Sequence, residues 1–233
     1  MEQIYTIPVN EAFDLVGEHP EQGCPFCRLY KKLQSDEIDI ILGASMMEPD
    51  IRMKTNEQGF CLSHYSIMLG KKRMLGMGLM MESHLAEVAK RLAGPTVLGN
   101  KRAAAIASLG ELEDSCYVCG RIAKNLAAMT ATAVYLWESQ PEFRKKFASA
   151  PYFCLPHYRA MLDYASKKMP KRLFADFYDE AYRVVSTYLG TLSADVSWFC
   201  KKFDYRYDAE PWYNSKDSVQ RAITFLSGDP KDE

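Results

Sequence analysis

Cys24-Pro25-Phe26-Cys27 is followed by Phe60-Cys61-Leu62-Ser63-His64-Tyr65, and Cys116-Tyr117-Val118-Cys119 by Phe153-Cys154-Leu155-Pro156-His157-Tyr158. Each set offers three thiolates and one imidazole. Four such donors make a closed tetrahedral site of the kind that holds structural zinc, with no position left for a substrate. The expected metal ligands are therefore Cys24, Cys27, Cys61, His64, Cys116, Cys119, Cys154 and His157, with two Zn²⁺ per chain. Cysteine-rich sets also hold iron–sulfur clusters, which is the alternative cofactor. A dithiol redox role fits less well, because no thioredoxin-like βαβ pattern surrounds either CxxC.

The two sets are copies. A shift of 92 positions carries Cys24 to Cys116, Cys27 to Cys119, Lys32 to Lys124, Pro49 to Pro141 and Arg52 to Arg144, and a shift of 93 carries Phe60 to Phe153 and His64 to His157. Order and spacing repeated over this length indicate an internal duplication. The CxxC of one copy can pair with its own CxxH or with that of the other. Pairing within a copy is the expectation, since each copy is complete and closes the shorter loop.

The elements that must carry these residues read as helices. Pro25 suits the first turn of a helix, where a missing N–H costs nothing. Pro49 and Pro141 end one helix and can start the next. Residues 170–203 place Phe174, Phe177, Tyr178, Ala181, Val185, Tyr188, Leu192, Val196, Phe199 and Phe203 at helical spacing. Only residues 3–8 read as extended. The expected fold is all-α, two tandem metal-binding repeats with a C-terminal aromatic and charged tail and a last helix near 215–226. The expected organisation is an N-terminal segment and short helix at 1–23, the first Cys3His repeat at 24–94, a linker at 95–115 with a short helix around 103–109, the second repeat at 116–203, and the tail and helix at 204–233.

Composition limits the function classes. The net charge of −1 gives no basic field for a phosphate backbone, and Lys71-Lys72-Arg73 reads as a solvated face, so nucleic acid is not an expected partner. The N-terminus lacks a basic region followed by an apolar one, and no run approaches the roughly 20 apolar residues that span a bilayer. The expectation is a cytoplasmic protein with no membrane partner, where paired cysteines serve metals more often than disulfides. Cys200, the one cysteine outside the motifs, reads as a packing residue, as do Met80 and His84. Lys32 and Lys124, one turn past each CxxC, are candidates to offset the charge of a metal–thiolate centre.

No Ser-His-Asp set, phosphate-cradling glycine loop or HExxH helix occurs, so no catalytic residue is named and an enzyme is not favoured. A binding or scaffold protein leads, and a redox or metal sensor is the alternative. In the tail, Asp204, Arg206, Asp208 and Glu210 alternate with Phe203, Tyr205, Tyr207 and Trp212. That composition suits a strap over a helical core, or a surface at 201–214 for a protein partner whose identity, like the oligomeric state, the sequence leaves open.

The chain resembles a bacterial family known as a domain of unknown function. The resemblance rests on Cys24–Cys27, Cys61–His64, Cys116–Cys119, Cys154–His157 and the tail Lys202–Arg206 with Glu210–Trp212, and it covers nearly the whole chain. It implies a bacterial, cytoplasmic setting and no activity. The second CxxC reads CYVC, without the proline of the first.

Overall fold

The computed structural model describes residues 3–94 and 101–228. Among them are eleven α-helices and no strand: α1 (Thr6–Glu18), α2 (Pro25–Ile41), α3 (Pro49–Gln58), α4 (Leu62–Gly70), α5 (Met74–Ala93), α6 (Lys101–Glu113), α7 (Tyr117–Ser139), α8 (Pro141–Ala148), α9 (Leu155–Lys168), α10 (Lys171–Lys201) and α11 (Ser218–Ser227). The protein is all-α. Among the described residues no helix is long and apolar enough to cross a membrane.

Residues 3–8 are not extended. A 3-10 turn over Gln3–Tyr5 runs straight into α1. The alternation of Ile4, Tyr5, Ile7 and Val9 mimics a strand, but the buried stripe is Val9, Ala12, Phe13 and Val16, at helical spacing. Pro8 sits in the first turn, where its missing N–H loses no helical bond. The expected linker helix is α6, longer at both ends than the expected 103–109, and residues 95–100 of that linker lie outside the described residues.

The chain forms two compact units that cut across the sequence repeats. One takes Tyr30 and the described residues before it together with Leu126 and those after it. The other takes Lys31 to Asn125. The boundary falls inside α2 and α7.

The first unit has an aromatic core. Phe13 packs on Phe143 at 4.8 Å and on Phe26 at 5.8 Å between ring centres. Phe147 bridges Phe153 and Phe177, and Trp137 stands edge-on to Phe177. Phe26 is the middle of CPFC and Phe153 precedes Cys154, so the metal motifs are anchored in this core. Edge-on and tilted aromatic pairs of this kind add about 0.5–1.5 kcal/mol each beyond the area they bury. The duplicated arginine caps the core: Arg144 lies 4.2 Å over the Trp137 ring and its Nε donates to Trp137 O.

The tail straps the end of α10 in this unit. Buried Lys202 donates from Nζ to the carbonyls of Tyr207, Asp208 and Glu210 at 2.6–3.1 Å and sits 5.4 Å from the Trp212 ring. Trp198 Nε1 donates to Pro211 O, and Phe199 packs on Trp212. Asp204 and Arg206 pair with each other at the surface. The residues that carry the family-like tail pattern are those that close this strap.

The second unit has a more polar interior. Phe60, Met68, Met80, Ile38 and Ile41 are buried beside Gln34, Glu37, Thr55, His64 and His84. Glu37 accepts from Arg121 and Asn125, so the buried carboxylate is paired. Where the first unit has Phe147 and Phe177, the matching positions here are Thr55 and His84. Thr55 Oγ1 donates to Arg52 O, and His84 Nδ1 lies 2.8 Å from Asn56 O. His84 is thus a satisfied interior histidine, and Met80 is core, as the repeat shift implied.

Candidate metal centres

All four ligand pairs share one local geometry. α2, α4, α7 and α9 begin at Pro25, Leu62, Tyr117 and Leu155. Cys24, Cys61, Cys116 and Cys154 are therefore the residues just before each helix, and Cys27, His64, Cys119 and His157 the third residue inside it. A side chain just before a helix reaches the unpaired N–H groups of the first turn, and Cys119 N–H points at Cys116 Sγ, 3.5 Å away. The positive end of the helix dipole favours a thiolate there.

The pairs meet across the repeats. Cys24, Cys27, Cys154 and His157 gather in the first unit, and Cys61, His64, Cys116 and Cys119 in the second. Within each quartet one ligand atom from every residue lies within 4.8 Å of all the others. The expected pairing within a copy is corrected: each quartet takes its CxxC from one copy and its CxxH from the other. The loop argument separates the two pairings only weakly, because closure entropy grows with the logarithm of loop length.

The geometry fits a single tetrahedral ion. Metal–sulfur bonds of about 2.3 Å and metal–nitrogen bonds of about 2.0–2.1 Å put neighbouring ligand atoms about 3.6–3.8 Å apart. In the first quartet Cys27 Sγ lies 3.6 Å from Cys154 Sγ and 3.5 Å from His157 Nδ1, and Cys24 Sγ lies 3.8 Å from His157 Nδ1. In the second, Cys61 Sγ lies 3.8 Å from Cys119 Sγ, and His64 Nδ1 lies 3.3 Å and 3.5 Å from Cys116 and Cys119. The edge inside each CxxH is shorter, 3.0 Å for Cys154–His157 and 3.1 Å for Cys61–His64. Both histidines present Nδ1. Both quartets could hold a metal ion.

The electrostatics point the same way. Hydrogen bonds from Cys154 and Cys24 pull the Cys27 thiol down to about 2. Burial pushes Cys24 well above the ordinary thiol range. Burial disfavours a charged His157, yet its hydrogen bonds to Cys154 and Cys27 raise it to about 9. In the second quartet burial, reinforced by Cys116 and Cys61, pushes Cys119 up to about 12. Thiols this close cannot all ionise by themselves, and a divalent cation bound among them would let three give up their protons together.

The surroundings differ between the quartets. Cys24, Cys27 and Cys154 are buried, whereas Cys61, Cys116 and Cys119 are half-buried. His64 Nε2 faces the amide of buried Gln34 at 3.3 Å. With Nδ1 on a metal, Nε2 would carry the proton, and turning over the Gln34 amide, whose Nε2 stands 3.3 Å away, would present Oε1 to it. His157 instead packs against the Phe26 ring, 5.8 Å away. The loops before the ligands are zipped in the second unit: Tyr117 N–H donates to Gly59 O and Ser115 Oγ to Gln58 O. Gly59 and Gly23 precede FCLSH and CPFC with φ of +57° and +78°. A Cβ would stand 3.0 Å from the His84 ring at Gly59 and 2.7 Å from Tyr152 Oη at Gly23.

Some expected roles fall elsewhere. Lys32 is exposed and pairs with Asp36, and Lys124 is exposed. Arg28, one turn past Cys24, and Arg221 are the cations that line a cavity of about 210 Å³ together with that thiol. The i, i+4 spacing of Arg28 from Cys24 was a readable signal, whereas nothing in the sequence marked Gln34. Cys200 is exposed rather than packed.

Neither a search of curated proteins nor one of solved structures finds a match. The family described as a family of unknown function (DUF6062) matches over residues 1–233, and its span takes in both quartets and the tail strap, so the chain belongs to that family.

Proposed function

We propose that this protein is a zinc-binding helical scaffold whose two structural Cys3His centres brace the duplicated motifs across each other. Cys24, Cys27, Cys154 and His157 hold one ion, and Cys61, His64, Cys116 and Cys119 the other. The observation that carries this reading is the closure of each quartet: four ligands at single-ion spacing, joined among the described residues by no further Cys, His, Asp or Glu. A cluster whose terminal thiolates bind different irons would need wider separations than these, which favours one ion over an iron–sulfur cluster. Metal bound in this way contributes to folding on the order of 10 kcal/mol. In this reading the protein works in a reducing bacterial cytoplasm and presents the outer side of its tail, where Phe203, Tyr205 and Tyr213 are exposed, to a protein partner.

The half-buried thiols of the second quartet favour one further reading, a redox sensor that loses that ion on oxidation. Metal analysis on protein purified without oxygen, with an absorption spectrum, tests the proposal. Two zinc per chain and a colourless sample support it. Iron with sulfide and visible absorption overturn it. Loss of one zinc to stoichiometric peroxide, reversed by thiol and zinc, would promote the sensor.

A further inference from the structure

α5 buries Gly76, Met80 and His84 and turns much of its polarity inward with them. Its polar residues point inward: buried His84 meets Asn56 O, Ser83 Oγ donates to Asn56 Oδ1 and accepts from Arg52, and Arg91 donates to Glu57 O and Ser108 O. Its outward face is largely apolar, with Glu82 and Lys90 as its exposed charges. Leu75, Leu85 and Leu92 are 77%, 63% and 61% exposed, and Met74 is exposed beside them. Gly78, Ala86, Ala89 and Ala93 are exposed between. A surface helix normally does the reverse, and a helix that is apolar on its outer side is a helix that something covers.

The pattern says what shape covers it. Leu75, Gly78, Glu82, Leu85, Ala89 and Leu92 follow each other at alternating steps of three and four, the a and d positions of a heptad seam. Such a seam accepts another helix, and the small side chains at Gly78 and Ala89 leave room for its knobs. The one charge in the seam selects among helices. Glu82 is exposed and has no ion pair among the described residues. A lipid layer would have to take up its carboxylate in apolar surroundings. A second copy docked antiparallel with its leucines aligned would bring two Glu82 carboxylates within about one helical turn of each other. A helix with a cation at the facing position meets neither cost.

We infer that the outer face of α5 is a docking site for an amphipathic helix of a partner protein, apolar at its a and d positions and carrying an arginine or lysine opposite Glu82. The inference extends the scaffold reading but does not depend on which metal is bound. The test uses the full-length, metal-loaded protein and a labelled synthetic peptide of about three heptads, leucine at a and d with one central arginine, read by fluorescence anisotropy. A second peptide replaces that arginine with glutamate. The expected result is binding of the arginine peptide at least tenfold tighter than the glutamate peptide. Glu82→Arg should reverse that preference, and Leu85→Lys should abolish binding of both, with helicity and metal count unchanged. Equal binding of both peptides, or of neither, overturns the inference. So does a dimer in sedimentation that Leu85→Lys dissolves, or flotation with anionic vesicles that Leu85→Lys removes, since these give the face to a second copy or to lipid. A bound metal other than zinc would defeat the zinc reading while leaving this comparison of peptides intact.

Discussion

Cys27 and Cys154 stand 127 positions apart in the chain and 3.6 Å apart in space. An ion between them would tie the start of the chain to its last third, and the loop it would close is far longer than the one inside a single copy. Because loop-closure entropy grows only logarithmically with length, the longer loop costs little extra to close. The preference for short loops is therefore weak, and each CxxC meets the CxxH of the other copy.

Gln34 should set the affinity of the second quartet alone. Gln34→Leu removes the acceptor that holds the His64 ring, and an outer partner of this kind is worth about 10–100-fold in metal affinity. Competition with a chelator should show one ion released at lower chelator concentration and the other unchanged. Release of both ions in parallel would mean that Gln34 acts on the fold as a whole.

Gly23 should tolerate no side chain. Its φ of +78° with ψ of −135° is open to little but glycine, and Tyr152, whose hydroxyl faces it, is stacked 4.1 Å from Tyr188. Gly23→Ala is expected to cost about 1–3 kcal/mol in urea unfolding. Adding Tyr152→Phe should recover the part due to the clash and not the part due to the backbone. Full recovery would place the whole cost in the contact.

Lys202 should hold the tail without touching the metals. Lys202→Met leaves three carbonyls short of their donor and is expected to cost about 1–3 kcal/mol. Trp198 lies on α10 under the strap and Trp212 within it, so their fluorescence should report loosening. The metal count should stay the same. A loss of metal in this variant would tie the strap to the first quartet.

What the sequence made readable was local. CxxC, CxxH and the prolines announce helix starts within a few residues of themselves, and the repeat shift correctly sent Met80 and His84 to the interior. What it hid depended on distance. Both pairings of the motifs satisfy the same spacing, and nothing local to a motif decides between them. The strand-like alternation at Ile4–Val9 gave way because the buried stripe extends to Val16, beyond the window in which the alternation shows. Cys200 lies between core-like residues of α10 but on the open side of a helix whose facing partner is the tail, and no periodicity in α10 alone reveals where the tail comes down. Gln34 reaches His64 from another helix, a contact that no spacing encodes.

The crossed pairing itself is tested most directly by counting metal in two double variants. Cys27→Ser with Cys154→Ser removes two ligands of one quartet, and one ion per chain should remain. Cys27→Ser with Cys61→Ser damages both quartets, and none should remain at stoichiometric occupancy. The reverse outcome, no ion in the first variant and one in the second, would show that each copy binds its own metal and would contradict the account.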